Sequence, residues 1–287
     1  MLSILIPVYN YNVLQLVEEI HQQATACHCV FEIIVIDDAS EKILFDAQKI
    51  NTFSNTKLIL LKQNIGRSAI RNALANKASF SHLLFIDAGT FPKSKTYISE
   101  YLNQLDKDVV IGGMVNETIE PKRPYKLRWL YTKTREAVFN KHVLTSANFM
   151  IKKSIILSYP FDETITTYGY EDFIFFKNLE ANTIAIHFIN NPVIHDGMDD
   201  ANSFLKKTED GLNNLAVLLK TKKHLLKDNS VITYYSKLKS FGLSWFVSSV
   251  FKITKPILVK NFNSDNPSII LFDFYKLGYF CSIKNNA

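Results

Sequence analysis

A small set of side chains carries the chemistry this sequence can offer. Asp87 follows the apolar run 82–86 in "HLLFIDAGTFP". A buried strand that ends in one acid delivers it to a sheet edge. Asp37 and Asp38 end a similar run, "FEIIVIDD". Carboxylates at strand ends can hold a divalent cation, accept a ligand's hydrogen bond or take a proton. Acids are also common there because strands must stop at something polar. A site for a metal and a diphosphate usually sets a second carboxylate beside the first, and Gly89 stands where one is expected. Asp87 is therefore either half of a working site or what remains of one.

Other candidates carry two readings each. In "NIGRSAIRN", Arg67 and Arg71 lie four apart on one face of a helix, in its first turns. Cations there oppose the helix dipole unless an anion sits with them, held by the guanidinium groups and the free N–H groups. Two surface arginines solvating a helix would look the same. Glu171-Asp172 opens the helical "EDFIFFKNLEA", where acids favour the dipole and can cap the first turn. His195 is a lone histidine at a strand end. Cys27-His28-Cys29 has the wrong spacing for zinc, and no second cluster answers it.

The elements that must position these groups read as an α/β fold. Runs at 2–8, 31–36, 57–61, 83–86 and 108–111 are continuously apolar, as in strands buried on both faces of a mostly parallel sheet. Helical spacing separates them: Val13, Leu16, Val17 and Ile20, then residues 68–78. In such sheets ligands bind beyond the carboxyl ends of the strands, where Asp37, Asp38 and Asp87 all fall. After Gly112-Gly113 comes a basic, aromatic, loop-rich stretch, 114–145. Strands are expected at 144–152, 183–189 and 192–195, with a helix over 173–181. From about Ser203 the chain turns helical and basic.

No G-x-G-x-x-G follows the first strand and no G-x-x-x-x-G-K-[ST] occurs, which argues against dinucleotide and P-loop chemistry. Residues 201–287 carry 13 lysines, no arginine and five acids, a net +8 against +6 for the whole chain. A near-neutral body with a basic, aromatic tail suggests an anionic surface as partner. Trp245, Phe246, Phe251, Lys252, Lys255 and Lys260 could lie on an anionic membrane, or the tail could be a basic helical cap. No nucleic-acid motif accompanies the charge. Three cysteines cannot form a disulfide framework, no signal peptide opens the chain, and no apolar run reaches the ~18 residues of a membrane span. A reducing cytoplasm is the expected compartment, with a peripheral place on the inner face of the cell membrane as an option.

Taken in order, "SILIPVYN", "IIVIDDAS", "NIGRSAIRNALA", "LLFIDAGT", "SANFMIKKSIILSYPFDE", "YGYEDFIFFKNL" and "VIHDG" resemble family 2 of the glycosyltransferases, over roughly residues 1–200. The resemblance implies a GT-A fold: a Rossmann-like, mostly parallel central sheet flanked by helices, here with a helical C-terminal extension. Residues 1–113 would bind the nucleotide-sugar, 114–202 the acceptor, and 203–287 would form the extension. It implies an inverting transfer from a nucleoside-diphosphate sugar, UDP-linked by expectation, to a hydroxyl of a glycan or lipid-linked acceptor in surface polysaccharide synthesis. Pro7, Val8 and Tyr9 would line the nucleotide pocket. Asp37, with Asp38 beside it, would take the base. Arg71, helped by Arg67, would lie near the diphosphate, with Asn64 just before their helix. The family's D-x-D motif falls on Asp87-Ala88-Gly89, and its E-D motif on Glu171-Asp172, with Asp172 the general base. His195 matches a histidine that ligates the metal in several relatives.

Gly89 departs from that pattern. Three readings follow. Asp87 and His195 hold Mn²⁺ or Mg²⁺ together with diphosphate oxygens and water. Or Arg67 and Arg71 offset the leaving charge without a metal. Or the site only binds, as a sugar-nucleotide-binding protein or partner subunit would. A nucleotidyltransferase is disfavoured, because no glycine-rich basic loop follows the first strand. Trp129, Tyr125 and Tyr131 could stack on acceptor sugars or simply pack.

Overall fold

The chain folds along its continuously apolar runs. In a computed structural model, which describes residues 1–116, 119–137, 143–195 and 199–285, these runs become β1 (Leu2–Val8), β2 (Phe31–Asp37), β3 (Thr56–Leu60), β4 (His82–Ile86) and, after the short β5 (Thr90–Pro92), β6 (Val109–Ile111). β7 (Met114–Asn116), β8 (Asn148–Lys152), β9 (Ile186–Phe188) and β10 (Val193–His195) complete the strands. Seven form one sheet in the order β3-β2-β1-β4-β8-β6-β9. β1 runs parallel to β2 and β4, with Val8 opposite Asp37 and Leu5 opposite Phe85. β8 alone is antiparallel to its neighbours β4 and β6. The α/β expectation holds: a mostly parallel central sheet with helices on both faces, and a helical C-terminal region.

Burial on both sides explains why the central strands β1, β2 and β4 do not alternate in polarity. Leu2, Ile4, Ile6 and Val8 pack toward Leu16, Val17 and Ile20 of the helix Leu14–Ala26. Leu5 joins the other face with Ile34, Phe85, Phe149 and the helices Arg67–Lys77 and Glu171–Ala181. There Phe85 stacks on Phe149 at 4.8 Å and Phe161 on Phe175 at 3.8 Å.

A second, three-stranded sheet, in the order β5-β10-β7, was not anticipated. It holds β10 antiparallel to β5, with His195 opposite Thr90, and parallel to β7, with His195 opposite Asn116.

Two compact units divide the chain. Both sheets and the helices packed on them form one. The other gathers Lys126–Tyr131 and the helices Ala201–Thr221, Ser230–Ser240, Ser244–Phe262 and Ile269–Asn285. Part of the stretch expected to be loop is helical: Lys126–Tyr131 runs into a π-helical turn, Thr132–Glu136. Within this unit Trp129 is buried, and Tyr131 packs on the rings of Phe204 and Phe272. Of the three aromatics suggested for sugar stacking, Tyr125 is the exposed one.

Candidate active site

β1, β2 and β4 end side by side, so their trailing residues share one edge. Val8 is buried there and Tyr9 half exposed. Beyond β1 and β2 the backbone turns through left-handed conformations at Asn10 (φ 50°) and Ala39 (φ 57°), which non-glycine residues rarely adopt. Crosslinks hold the two turns together. The Asp38 N–H donates to Val8 O at 2.8 Å, and the Asn10 N–H to Ser40 Oγ at 2.7 Å.

Both acids after β2 are buried and hydrogen-bonded within the chain. Asp37 accepts from the Ser40 N–H at 2.8 Å and from the Ser40 hydroxyl at 2.6 Å. Asp38 accepts from the Ile65 N–H at 2.7 Å and the Gly66 N–H at 3.0 Å, while Asn64 Nδ2 donates to Asp38 O at 3.1 Å. The Asp38 carboxylate thereby fixes the entry to the helix Arg67–Lys77, which has no acid in its first turn. A left-handed Gly66 (φ 86°) lets the chain make that entry.

Two ion pairs join that helix to Asp87, just after β4, and to Glu171, which opens the helix Glu171–Ala181. Arg71 Nη2 donates to Asp87 Oδ1 at 2.7 Å, and its Nη1 to Arg67 O at 3.0 Å. Arg67 Nη1 donates to Glu171 Oε1 at 3.0 Å. Arg71 is buried, with its guanidinium carbon 5.7 Å from the Phe161 ring centre. Among the described residues, Arg71 Nε and Glu171 Oε2 are buried without a hydrogen-bond partner. Buried polar atoms are seldom left so, and two beside an ion-pair chain mark a place shaped for a further polar group.

Electrostatics separate the adjacent acids. Burial alone would raise the Glu171 carboxyl, but Arg67 and Arg71 outweigh it and hold the group below its ordinary value. Asp172 goes the other way. Burial, then the neighbouring Glu171 charge, push its carboxyl up from 3.8 to about 7. Its Oδ1 accepts the Phe173 N–H at 2.7 Å, which lowers the value only in part. Neighbouring carboxyls driven apart in this way are the pattern of an acid–base pair.

Asp87 begins a tight turn: the N–H and the hydroxyl of Thr90 both donate to Asp87 O, at 3.0 and 2.7 Å. Ala88 is buried in that turn. A Cβ built on Gly89 would meet only the Tyr11 ring, at 3.8 Å, so a side chain has room there. Since Thr90 faces His195 across the small sheet, the fold brings the histidine beside the Asp87 turn. Among the described residues, no group of three or more His, Cys, Asp and Glu side chains could hold an ion. A cation at Asp87 and His195 would need its remaining ligands from the bound donor and water.

Sequence reasoning placed these groups without finding their partners. Arg71 with Asp87 spans 16 residues and Arg67 with Glu171 spans 104. Neither spacing follows a local period, so no signal in the sequence pairs them. Nor does any signal put Tyr11 beside Gly89.

The glycosyl transferase family 2 model matches residues 3–159. Among solved structures, S. aureus TarS is similar at 15% identity and a TM-score of 0.52, covering 96% of this chain and 54% of TarS. This chain thus spans about half the length of that protein. S. aureus TarS 1–349 in complex with UDP-GlcNAc gives a TM-score of 0.50 at 15% identity, covering 99% of this chain and 91% of that one. At this identity the likeness is one of fold. No curated protein matches the chain.

Proposed function

Because this chain belongs to glycosyl transferase family 2, we propose that it is an inverting transferase. It moves a sugar from a UDP-sugar to a hydroxyl of a glycan or lipid-linked acceptor in surface polysaccharide synthesis. The observation that carries this reading is the chain Asp87–Arg71 and Arg67–Glu171, next to a carboxyl, Asp172, poised near neutrality. The UDP-GlcNAc complex of TarS supports a UDP-sugar as the donor class. Three free cysteines accord with a reducing cytoplasm as the compartment.

The residues divide the work by charge. Asp172 takes the proton of the acceptor hydroxyl as its oxygen attacks the anomeric carbon from the face opposite the diphosphate. The bond from that carbon to the diphosphate oxygen breaks, and its electron pair leaves with UDP. Arg71 and Arg67 offset the departing charge, with the diphosphate competing against Asp87 and Glu171 for the two guanidinium groups. Glu171 stays ionised, and its charge keeps Asp172 basic enough to accept a proton near pH 7. Pro7, Val8 and Tyr9 form the floor under the nucleotide, and Asp37 and Asp38 stiffen the turns beside it.

Calorimetric titration with UDP and GDP, with and without Mn²⁺, tests the donor site. UDP should bind the wild-type protein. Arg71→Lys should weaken that binding by about tenfold or more, as loss of charge-assisted hydrogen bonds worth roughly 1.5–3 kcal/mol requires. Binding that needs Mn²⁺ and is abolished in Asp87→Ala would add a metal to the site. No binding of either nucleotide would overturn the reading. UDP binding without any turnover would leave a sugar-nucleotide-binding protein, the alternative that Gly89 suggests.

A further inference from the structure

The helix Ser244–Phe262 is apolar on two opposite faces. One is buried: Phe251, Leu258 and Phe262 pack into a cluster with Phe272 and Tyr275 of the helix Ile269–Asn285. Gly278 marks how close the two helices come, since a Cβ there would lie 2.6 Å from Phe251 Cβ. That packing fixes which face points outward. At about 100° per residue, Trp245, Phe246, Ser249, Lys252, Ile253, Pro256, Ile257 and Lys260 share a single arc of about 140° on the other side, and all are exposed. The large apolar members are far from covered: Trp245 is 64% exposed, Phe246 52%, Ile253 78% and Ile257 70%. Phe241 and Leu243, just before the helix, are exposed as well.

Soluble chains rarely leave a contiguous apolar stripe of this length uncovered. Its charges say what could cover it. The helix has no acidic residue, and two of its three lysines, Lys252 and Lys260, stand on the stripe itself. Among the described residues neither forms an ion pair, whereas the third, Lys255, lies off the stripe and binds Glu209 at 2.7 Å. Aromatic and branched side chains flanked by lysines, on a helix lying flat, fit the boundary between headgroups and acyl chains of an anionic bilayer. Cores of protein interfaces are depleted of lysine, so lysines standing within the stripe favour headgroups over a protein partner. No helix among the described residues is long and apolar enough to cross a membrane, so the contact would be peripheral.

We propose that the exposed face of Ser244–Phe262 docks this protein on an anionic lipid surface, with Trp245, Phe246, Ile253 and Ile257 entering the interface and Lys252 and Lys260 meeting the headgroups. Of the tail residues named from sequence, Phe251 belongs to the core and Lys255 to an ion pair, so neither is part of the contact. The inference does not depend on the transferase reading.

The chain carries its own reporter. It has two tryptophans, the buried Trp129 and the exposed Trp245. Vesicles of phosphatidylcholine with phosphatidylglycerol, added at low salt to the full chain, should shift the tryptophan emission to shorter wavelength and carry the protein in flotation. Trp245→Phe should remove the shift, and Trp129→Phe should keep it. Pure phosphatidylcholine should bind roughly tenfold more weakly or worse, as should the double variant Lys252→Glu with Lys260→Glu. Ile253→Glu with Ile257→Glu replaces exposed side chains only, so it should abolish flotation while leaving circular dichroism and UDP binding as in the wild type. Three outcomes would overturn the proposal: no flotation with anionic vesicles, equal binding to neutral ones, or a self-associated species in sedimentation that shields Trp245 without lipid, which would give the face to a second copy of the chain.

Discussion

At Asp87 one carboxylate oxygen faces the guanidinium of Arg71, whose side chain is 3% exposed. A charge buried that deeply is held in place by its partner, and removing Asp87 leaves the Arg71 guanidinium uncompensated. Asp87 therefore holds the buried Arg71 guanidinium in place whether or not a metal joins it. The position itself is permissive: a Cβ would meet the Tyr11 ring at ordinary contact distance. Gly89→Asp should fold normally, its stability changed by no more than about 1 kcal/mol and favoured by the lost freedom of the unfolded chain. It should also make UDP binding respond to Mn²⁺ more strongly than in the wild type. A variant that folds but shows no greater response would mean that residue 89 is not where a second metal carboxylate belongs. The candidate side chains were legible from sequence because each stands at a strand end or helix start. Their ion pairs were not, because contacts across many residues carry no periodic signal.

Elements hold these residues through a few backbone bonds. The helix bearing Arg67 and Arg71 begins at Gly66, where no side chain of its own caps it, and the Asp38 carboxylate supplies the hydrogen bonds instead. An acid read from sequence as facing the nucleotide base thus also orients the arginine helix. Asp38→Ala leaves two backbone donors without acceptors and should cost about 1–3 kcal/mol, seen as a lower urea midpoint. UDP affinity should fall with it. Unchanged stability would show that the helix entry needs no such anchor. Strand positions were readable because a strand buried on both faces must be apolar throughout. Strand direction was not, since nothing in "NFMIK" says that β8 runs antiparallel between β4 and β6. Of the three-stranded sheet only β10 was legible, within 192–195; β5 and β7, three residues each, are too short to show any period.

Across the molecule, the opposed shifts at Glu171 and Asp172 couple stability to pH. The folded Asp172 carboxyl titrates at about 7, above its ordinary 3.8, so folding favours its protonated form. That contribution is fully present below pH 3.8 and is lost as the pH climbs to about 7. Asp172→Asn, which mimics the protonated form, should gain stability over the wild type across this window and hold a constant advantage above it. Thermal midpoints at a series of pH values check this, and a difference that does not widen with pH would contradict the raised value. In the mechanism proposed above, Asp172 works in the form that destabilises the fold, as a stability–activity trade-off requires.

Asp172 as the general base is tested most directly by the rate of UDP release from UDP-sugars as a function of pH, for the wild type and Asp172→Asn. The wild-type rate should rise through about pH 7 as Asp172 loses its proton. The variant should be slower by about 10²–10⁴-fold, without that rise and with UDP affinity intact. A variant that turns over at a near-normal rate, with the same pH dependence, would contradict that role.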